Sequence, residues 1–204
     1  MEKHTLITVG RQFGSGGKSV ASAISNLLGI PVYDHELLES AAKKSGLSPE
    51  VLQKSDERRR FFGLGNLLDG ARFWHNSSNV LDDNELFRIQ SEAILDIAQR
   101  GSAIFVGRAS DYVLRDMDTL DVFICAPLKA RKARIAERRS ISPEEAETLI
   151  HKMDKSRRDY YNLITFGNNW GVAANYDLCV DSSILGIDFT AELIVSFGRG
   201  CGKI

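Results

Sequence analysis

The chain has 204 residues, which is long enough for one substantial hydrophobic core. Its residues are 43% hydrophobic and 26% charged with a formal net charge of −1, and this balance argues against a general nucleic-acid binder, a class that is usually clearly basic. No apolar run approaches the roughly 18 residues that a membrane-spanning helix needs. The three scattered cysteines have no CxxC spacing and the N-terminus has no signal-peptide core. We therefore expect a cytoplasmic protein.

Strand and helix patterns alternate along the chain. Short β-branched or continuous apolar runs predict strands over 6–9, 30–33, 102–106, 120–126 and 176–180. Helical period or composition predicts helices over 19–28, 36–44, 84–99, 129–139, 143–158 and 188–197. This alternation predicts one α/β domain with a sheet of about five parallel strands.

One segment, 45–83, does not fit the alternation. It contains the charged cluster SDERRR, the apolar run FFGLGNLL and the polar run HNSSN. We interpret it as an insert of short helices within the domain. The core is then about 1–44 and 84–204, and the two basic helices within about 129–161 are expected to form a helical lid.

The stretch RQFGSGGKS, residues 11–19, resembles a phosphate-binding loop. The standard pattern is Gly, four residues, and then Gly-Lys-Ser/Thr, and this chain departs from it only in having Gln12 at the first glycine position. The loop follows a predicted strand and opens a predicted helix, which is the context such a loop requires. Glycines here can turn successive N–H groups inward to make an anion nest. The residues predicted to hold the donor phosphates are Gly14, Ser15, Gly16, Gly17, Lys18 and Ser19.

Two side chains at the end of this loop have distinct predicted roles. Lys18 would place a positive charge on the β- and γ-phosphates of ATP, and Ser19 could ligate Mg²⁺. The alternative is a glycine-rich turn with a solvent-facing lysine. If the loop binds phosphate, the N-terminus of the following helix adds partial positive charge at that site.

Polar residues also follow other predicted strands, at the edge where ligands bind in open α/β sheets. Asp34 follows the second strand, where it could hold a metal-bound water, orient an acceptor hydroxyl or simply cap the next helix. Arg108 follows a central strand, where it could bind a substrate phosphate or form a structural salt bridge. Arg88, on the helix before that strand, is a further candidate with the same alternative.

The two basic segments, 129–139 and 151–161, are separated by a short connection. Such helices could close over a donor triphosphate and exclude water, although a run of cations on a helix is usually a solvated face. The candidate lid arginines are Arg131, Arg134, Arg157 and Arg158.

Four collinear blocks cover most of the chain and together resemble the cytidylate kinase-like family, a branch of the P-loop nucleoside monophosphate kinases. The blocks are ITVGRQFGSGGKSVASAISNLLGIPVYDHELL, LFRIQSEAILDIAQRGSAIFVGRASDYVL, ARIAERRSISPEEAETLIHKMDKSRRDYY and NWGVAANYDLCVDSSILGID. The resemblance implies a three-layer P-loop NTPase fold with a core, a helical acceptor-binding insert and a helical lid.

The resemblance also implies residue roles. Residues 14–19 would hold the ATP phosphates, Arg88 and Arg108 would contact the acceptor monophosphate, and Arg134, Arg157 and Arg158 would belong to the lid. Where true cytidylate kinases carry Asp-Gly-Arg-Asp, this chain has Val-Gly-Arg-Ala at 106–109, and both carboxylates are missing.

The sequence therefore predicts transfer of the γ-phosphoryl group of ATP, with Mg²⁺, to a nucleoside monophosphate such as CMP or dCMP. The residues predicted to act in catalysis are Lys18, Asp34, Arg108 and Arg157. The expected partners are a nucleotide donor and a small-molecule acceptor, with neither membrane nor nucleic acid. The alternatives are a kinase with a different small-molecule or protein acceptor, and a nucleotide-binding regulatory protein without turnover.

Overall fold

The computed structural model describes residues 4–35, Leu37 and 80–204, and within 80–86 it describes the backbone alone. The strands are β1 Leu6–Arg11, β2 Val32–Tyr33, β3 Ala103–Val106, β4 Thr119–Cys125 and β5 Leu178–Asp181. The helices of the described residues are α1 Gly17–Leu28, α2 Val80–Arg100, α3 Ser110–Val113, α4 Leu128–Arg139, α5 Pro143–Ile164 and α6 Ser182–Gly200. Apart from Leu37, the predicted helix over 36–44 and most of the predicted insert over 45–83 lie outside the described residues.

The five strands form one parallel sheet in the order β2-β3-β1-β4-β5. In the register, Val9 of β1 lies between Val106 of β3 and Val122 of β4. The prediction of a parallel sheet of about five strands is confirmed. Because the strands are parallel, their carboxyl ends all lie at one edge of the sheet, and β1 ends at the centre of that edge.

Helices cover both faces of the sheet. On one face, Ile7 and Val9 of β1 pack with Val20 and Ile24 of α1 and with Ile194 of α6, and all five are fully buried. On the other face, Leu6 of β1 and Phe105 of β3 pack with Ile94 of α2 and with Leu114, which follows α3. Alternate residues of each strand therefore enter different cores, which gives the predicted three-layer architecture. Among the described residues, none of the helices is long and apolar enough to cross a membrane.

Two helices differ from their predicted bounds for identifiable reasons. The helix predicted over 143–158 begins as expected, since Ser142 and Glu145 form a capping box with Pro143 in the first turn, but it continues to Ile164. The helix predicted over 188–197 begins at Ser182, where the Asp181 side chain accepts a hydrogen bond from the Ser183 N–H. Gly186 interrupts it with φ +76°, and this break hides the first turn from a periodicity argument.

A buried ion pair joins α4, α5 and the glycine-rich loop. Arg131 Nη1 of α4 lies 2.5 Å from Asp154 Oδ2 of α5, and both side chains are about nine-tenths buried. The second carboxylate oxygen, Asp154 Oδ1, accepts a hydrogen bond of 2.7 Å from the Phe13 N–H. Asp154 thus fixes the two helices of the predicted lid to the start of the loop.

Replacing this carboxylate should destabilise the protein strongly. We expect Asp154→Ala to lower the free energy of unfolding by about 3–5 kcal/mol, because it leaves the buried Arg131 charge and the Phe13 N–H without their partner. Urea unfolding followed by circular dichroism measures the change. Asp159→Ala is the matched control, because Asp159 forms an exposed pair with Lys155 on the same helix, and it should cost about 1 kcal/mol at most. Equal destabilisation by the two variants would contradict the assigned role of Asp154.

Candidate active site

The loop between β1 and α1 has the backbone geometry of an anion-binding nest. Gly14 and Gly16 adopt the left-handed conformation, with φ +81° and φ +84°. At Gly16 the space is also closed, since an added Cβ would lie 2.6 Å from Ile187 Cδ1. Gly16 is the N-cap of α1 and provides no side-chain hydrogen bond to the first turn. The N–H groups of this turn and the helix dipole are therefore available to a bound phosphate.

Gln12 anchors the loop to the neighbouring strand. Its N–H donates to the Ile124 carbonyl at 3.0 Å, and its side-chain Oε1 accepts from the Ala126 N–H at 3.1 Å. Its own carbonyl accepts from both the N–H and the hydroxyl of Ser15. Gln12 is not among the residues with positive φ, so this position does not need glycine. The departure from the standard pattern adds a side-chain anchor and leaves the nest intact.

Ser15 is fully buried and holds the inner side of the loop. Its carbonyl accepts a hydrogen bond from the Ser182 hydroxyl at the start of α6. Its hydroxyl and its N–H both donate to the Gln12 carbonyl. All of its hydrogen-bonding groups are thus used within the fold, and Ser15 shapes the loop.

Lys18 and Asp34, predicted independently, are in direct contact. Lys18 Nζ lies 2.6 Å from Asp34 Oδ2, and the lysine side chain is 65% exposed whereas that of the aspartate is 16% exposed. The other oxygen, Asp34 Oδ1, accepts a hydrogen bond of 3.2 Å from the Leu37 N–H. Asp34 therefore caps the following turn, as one interpretation expected, and also contacts the loop lysine. Its role toward a metal-bound water or an acceptor hydroxyl stays a prediction. Ser19 is exposed beside them in the first turn of α1.

The predicted lid arginines have different surroundings. Arg134 donates to the Gly14 carbonyl at 2.7 Å, and Arg157 donates to the Arg11 carbonyl at 3.0 Å, so both reach the loop. Arg158 is exposed, with its guanidinium 5.8 Å from the centre of the Trp170 ring. Arg131 differs from the other three in being buried. It pairs with Asp154 and packs α4 against α5.

A cavity of about 230 Å³ lies next to the loop, at the carboxyl ends of β1 and β3. Three arginines line it, namely Arg11, Arg108 and Arg157. Aromatic rings form much of the remaining wall and belong to Tyr160, Tyr161, Trp170 and Tyr176. Phe123 of β4 positions two of these rings, since its centroid lies 5.3 Å from that of Trp170 and 5.0 Å from that of Tyr176.

The backbone around Arg108 is unusual. Gly107, Arg108 and Ala109 have φ values of +74°, +63° and +51°, so three consecutive residues are left-handed. Such strain in non-glycine residues is found mostly at functional sites. It turns the chain sharply after β3, and the Arg108 guanidinium lies 5.6 Å from the centre of the Tyr160 ring.

Arg88 is not brought into this cavity. Its side chain is 54% exposed and pairs at 2.5 Å with Glu92, one turn further along α2. It is absent from the cavity lining. A role for Arg88 in binding an acceptor is therefore without support from the described residues.

The arginines of the cavity perturb one another. Burial lowers the pKa of Arg11 well below its usual value, and the charges of Arg157 and Arg108 lower it further, while Asp34 opposes the shift. Burial also lowers the pKa of Arg157 to about 10, with Asp154 opposing this shift and Arg108 adding to it. An anion bound among these groups would relieve their repulsion.

Sequence reasoning assigned no role to Arg11 or to Asp111, and both line the cavity. Burial raises the pKa of Asp111 to about 6, although the Tyr161 hydroxyl, which donates to Asp111 Oδ2 at 2.6 Å, opposes the shift. Arg11 ends β1 and Asp111 follows β3, so the rule that selected Asp34 and Arg108 could have selected them too.

The described residues contain no cluster of three His, Cys, Asp or Glu side chains that could hold a metal ion. The Ser19 hydroxyl and the Asp34 carboxylate are nevertheless oxygen donors of the kind that Mg²⁺ prefers. Magnesium usually binds through one or two protein ligands together with substrate phosphates and water. The two residues thus fit a magnesium ion that arrives with a nucleotide.

The raised pKa of Asp111 should make stability depend on pH. Between about pH 4 and pH 6 the folded state keeps a proton that the unfolded state has lost, so the unfolding free energy should fall as the pH rises through this range. Asp111→Asn should remove this component and be the more stable protein at neutral pH, because its amide oxygen can still accept from Tyr161. Urea unfolding across this range measures the slope.

Asp116→Asn is the control for this measurement, since the Asp116 side chain is 88% exposed. It should keep the wild-type slope. The same slope in Asp111→Asn and in the wild type would show that Asp111 does not titrate in this range.

Solved structures of other proteins share this fold. An uncharacterized protein from Eubacterium ventriosum superposes with a TM-score of 0.71 at 25% sequence identity, covering 94% of this chain and 96% of that one. Shikimate kinase from Acinetobacter baumannii, solved with shikimate, gives a TM-score of 0.52 at 14% identity over 97% and 94% of the two chains. The second likeness concerns the fold alone, which is that of the P-loop kinases.

Sequence comparison gives a narrower result. The chain is 28% identical over 180 residues to the cytidylate kinase of Pyrococcus horikoshii, covering 87% of this chain and 80% of the relative. It is also 28% identical over 199 residues to that of Methanopyrus kandleri, covering 93% and 90%. The sequence model of the cytidylate kinase-like family matches residues 6–184, from β1 into α6. With the loop, the sheet order and this match in agreement, the chain belongs to the cytidylate kinase-like family and is a phosphotransferase.

Proposed function

We propose that the protein transfers the γ-phosphoryl group of ATP to a nucleoside monophosphate, with CMP and dCMP as the foremost acceptors. The observation that carries the proposal is that an anion nest and an arginine-lined cavity adjoin at the end of β1. Family membership and the names of the curated archaeal relatives support the choice of acceptor.

The glycine-rich loop is the proposed donor site. The N–H groups of Gly14 and residues 16–19, with the N-terminus of α1, would surround the β- and γ-phosphates. The Ser15 N–H donates to the Gln12 carbonyl instead. Lys18 is held by Asp34 at 2.6 Å and is exposed, so it can move to a phosphate without disturbing packing. Arg134 donates to the Gly14 carbonyl and would neutralise charge on the donor. The family resemblance gives the same role to Arg158, which lies beside Trp170.

Ser19 and Asp34 are the proposed protein ligands for Mg²⁺. When bound with the nucleotide, the ion would neutralise charge on the phosphate oxygens. Asp34 contacts Lys18 at 2.6 Å, so the proposed metal ligand and the lysine proposed for the transferred group lie side by side.

The arginine cavity is the proposed acceptor site. Arg108 and Arg157 would bind the acceptor phosphate, and the aromatic wall would contact the organic part of the acceptor. A phosphate acceptor is largely ionised near neutral pH, since its second pKa is about 6. It therefore needs no general base. Catalysis would rest on positioning and charge neutralisation, without a covalent intermediate.

One observation favours a second candidate, a kinase with a different acceptor. Val106 and Ala109 stand where true cytidylate kinases carry carboxylates, and these two side chains are 1% and 4% exposed. They are core residues and offer no polar contact to a cytosine ring. The carboxylate that lines the cavity is Asp111. Because its position differs from those in true cytidylate kinases, the acceptor must be identified by a screen.

The test is a coupled assay of ADP release with ATP, Mg²⁺ and a panel of CMP, dCMP, UMP, AMP, GMP and non-nucleotide alcohols. We expect nucleoside monophosphates to be phosphorylated. Lys18→Ala should lower kcat/KM by about 10²- to 10³-fold, the usual effect of removing one donor that stabilises transition-state charge. Lys155→Ala should behave as wild type, because Lys155 is exposed and pairs with Asp159 on the outside of α5.

The outcomes separate the candidates. Transfer to a non-nucleotide alone would favour the second candidate. ATP binding by calorimetry without any transfer, under conditions where a control kinase is active, would indicate a regulatory protein and end the proposal.

A further inference from the structure

Arg11 occupies a space that two glycines keep open. A Cβ added at Gly17 would lie 2.6 Å from Arg11 Cβ, and one added at Gly107 would lie 1.6 Å from Arg11 Nη1. The side chain therefore leaves β1 beside the first turn of α1 and ends against the backbone that follows β3. No side chain larger than glycine fits at either end of this path without moving Arg11.

The guanidinium of Arg11 faces the cavity and not the phosphate nest. It shares the cavity lining with Arg108 and Arg157, whereas residues 14–19 are absent from that lining. The cavity is thus a second cationic site next to the first. The Arg11 side chain runs from beside Gly17 of the first site to beside Gly107 of the second.

Charge in this second site is uncompensated at close range. Among the described residues, no Asp or Glu side chain forms an ion pair within 4 Å with Arg11, Arg108 or Arg157. Asp111 also lines the cavity, where it accepts from the Tyr161 hydroxyl. Asp34 and Asp154 act on the cluster from further away. Three partly buried positive charges that repel one another are an arrangement in which a bound dianion gains most.

We propose that Arg11 is a binding residue for the acceptor, which completes with Arg108 and Arg157 a site for a phosphate dianion. Guanidinium groups bind phosphate by paired N–H···O hydrogen bonds, which a lysine cannot reproduce. The inference deepens the proposed function and rests on it for the identity of the acceptor. The anion site itself rests on the geometry of the described residues.

Inorganic phosphate is the direct probe, because it tests the site without turnover. Phosphate would also bind the glycine-rich loop, so the experiment starts from Lys18→Ala, which weakens that first site. We expect phosphate, compared with chloride at equal ionic strength, to raise the thermal unfolding midpoint of this variant. Adding Arg11→Met should weaken the apparent phosphate affinity by about 10- to 100-fold, as expected when a charged hydrogen-bonding partner is lost.

The matched control is Lys18→Ala with Arg100→Met. Arg100 is exposed at the end of α2 and pairs with Asp96 on the same helix, so this control should keep the full phosphate effect. An equal phosphate effect with and without Arg11 would overturn the inference. Without phosphate, the Arg11→Met protein should be at least as stable as its parent, because one of three repelling charges is gone.

Gly107→Ala provides a test that does not remove the charge. Its Cβ would displace the Arg11 guanidinium, so phosphate affinity should fall even though all three arginines remain. If Arg11→Met fails to fold, this variant decides the question. Unchanged phosphate affinity in folded Gly107→Ala would overturn the inference.

A kinetic measurement separates this inference from the proposed function. In the nucleotide assay, Arg11→Met should raise KM for the acceptor by about 10-fold or more and change KM for ATP much less. Transfer to nucleotides with normal acceptor KM in Arg11→Met would overturn the inference and leave the function standing. If the protein phosphorylates no nucleotide but loses phosphate binding on Arg11→Met, the proposed function is overturned and the anion site stands.

Discussion

Close packing of Arg11 between Gly17 and Gly107 joins the two halves of the candidate site. Strand order makes this possible, because β1 lies between β3 and β4 in the sheet. The last residue of β1 is therefore the one that can touch both the first turn of α1 and the turn after β3. The proposed donor loop would lie beside the stem of this side chain, and the proposed acceptor phosphate beside its guanidinium. The guanidinium would offset part of the repulsion between the two phosphates, which opposes phosphoryl transfer.

Holding three arginines around one cavity costs folding free energy, and other contacts must offset it. The fully buried core between α1, α6 and the sheet supplies most of the favourable term. Asp154 adds a specific stabilising contact, because it binds Arg131 and the Phe13 N–H at once. Its charge also acts on Arg157, which donates to the Arg11 carbonyl. Helix α5 therefore contributes to the cavity as well as to the glycine-rich loop.

Much of the fold could be predicted from the sequence because its signals are local. Apolar runs revealed the five strands, and the capping box at Ser142 marked the start of α5. The parallel topology then placed Asp34 and Arg108 at one edge. Roles that depend on tertiary pairing were not predictable. Arg131 and Arg134 are three residues apart on one basic helix, yet the first is buried with Asp154 and the second reaches Gly14. Arg11 stood in the quoted loop, and a sequence pattern does not reveal the space that two distant glycines leave for it.

Gln12 shows why a motif is better understood through backbone geometry than through its letters. A phosphate nest needs N–H groups aimed inward, and in this loop the turns that aim them occur at Gly14 and Gly16, where φ is positive. The first position of the pattern lies before those turns and forms an ordinary backbone hydrogen bond to Ile124 of β4. A side chain is therefore tolerated there, and the glutamine uses it to bind the Ala126 N–H. Substitution at Gly14 or Gly16 would strain the nest itself. The conformational requirement thus lies two and four residues after the position at which the sequence departs from the pattern.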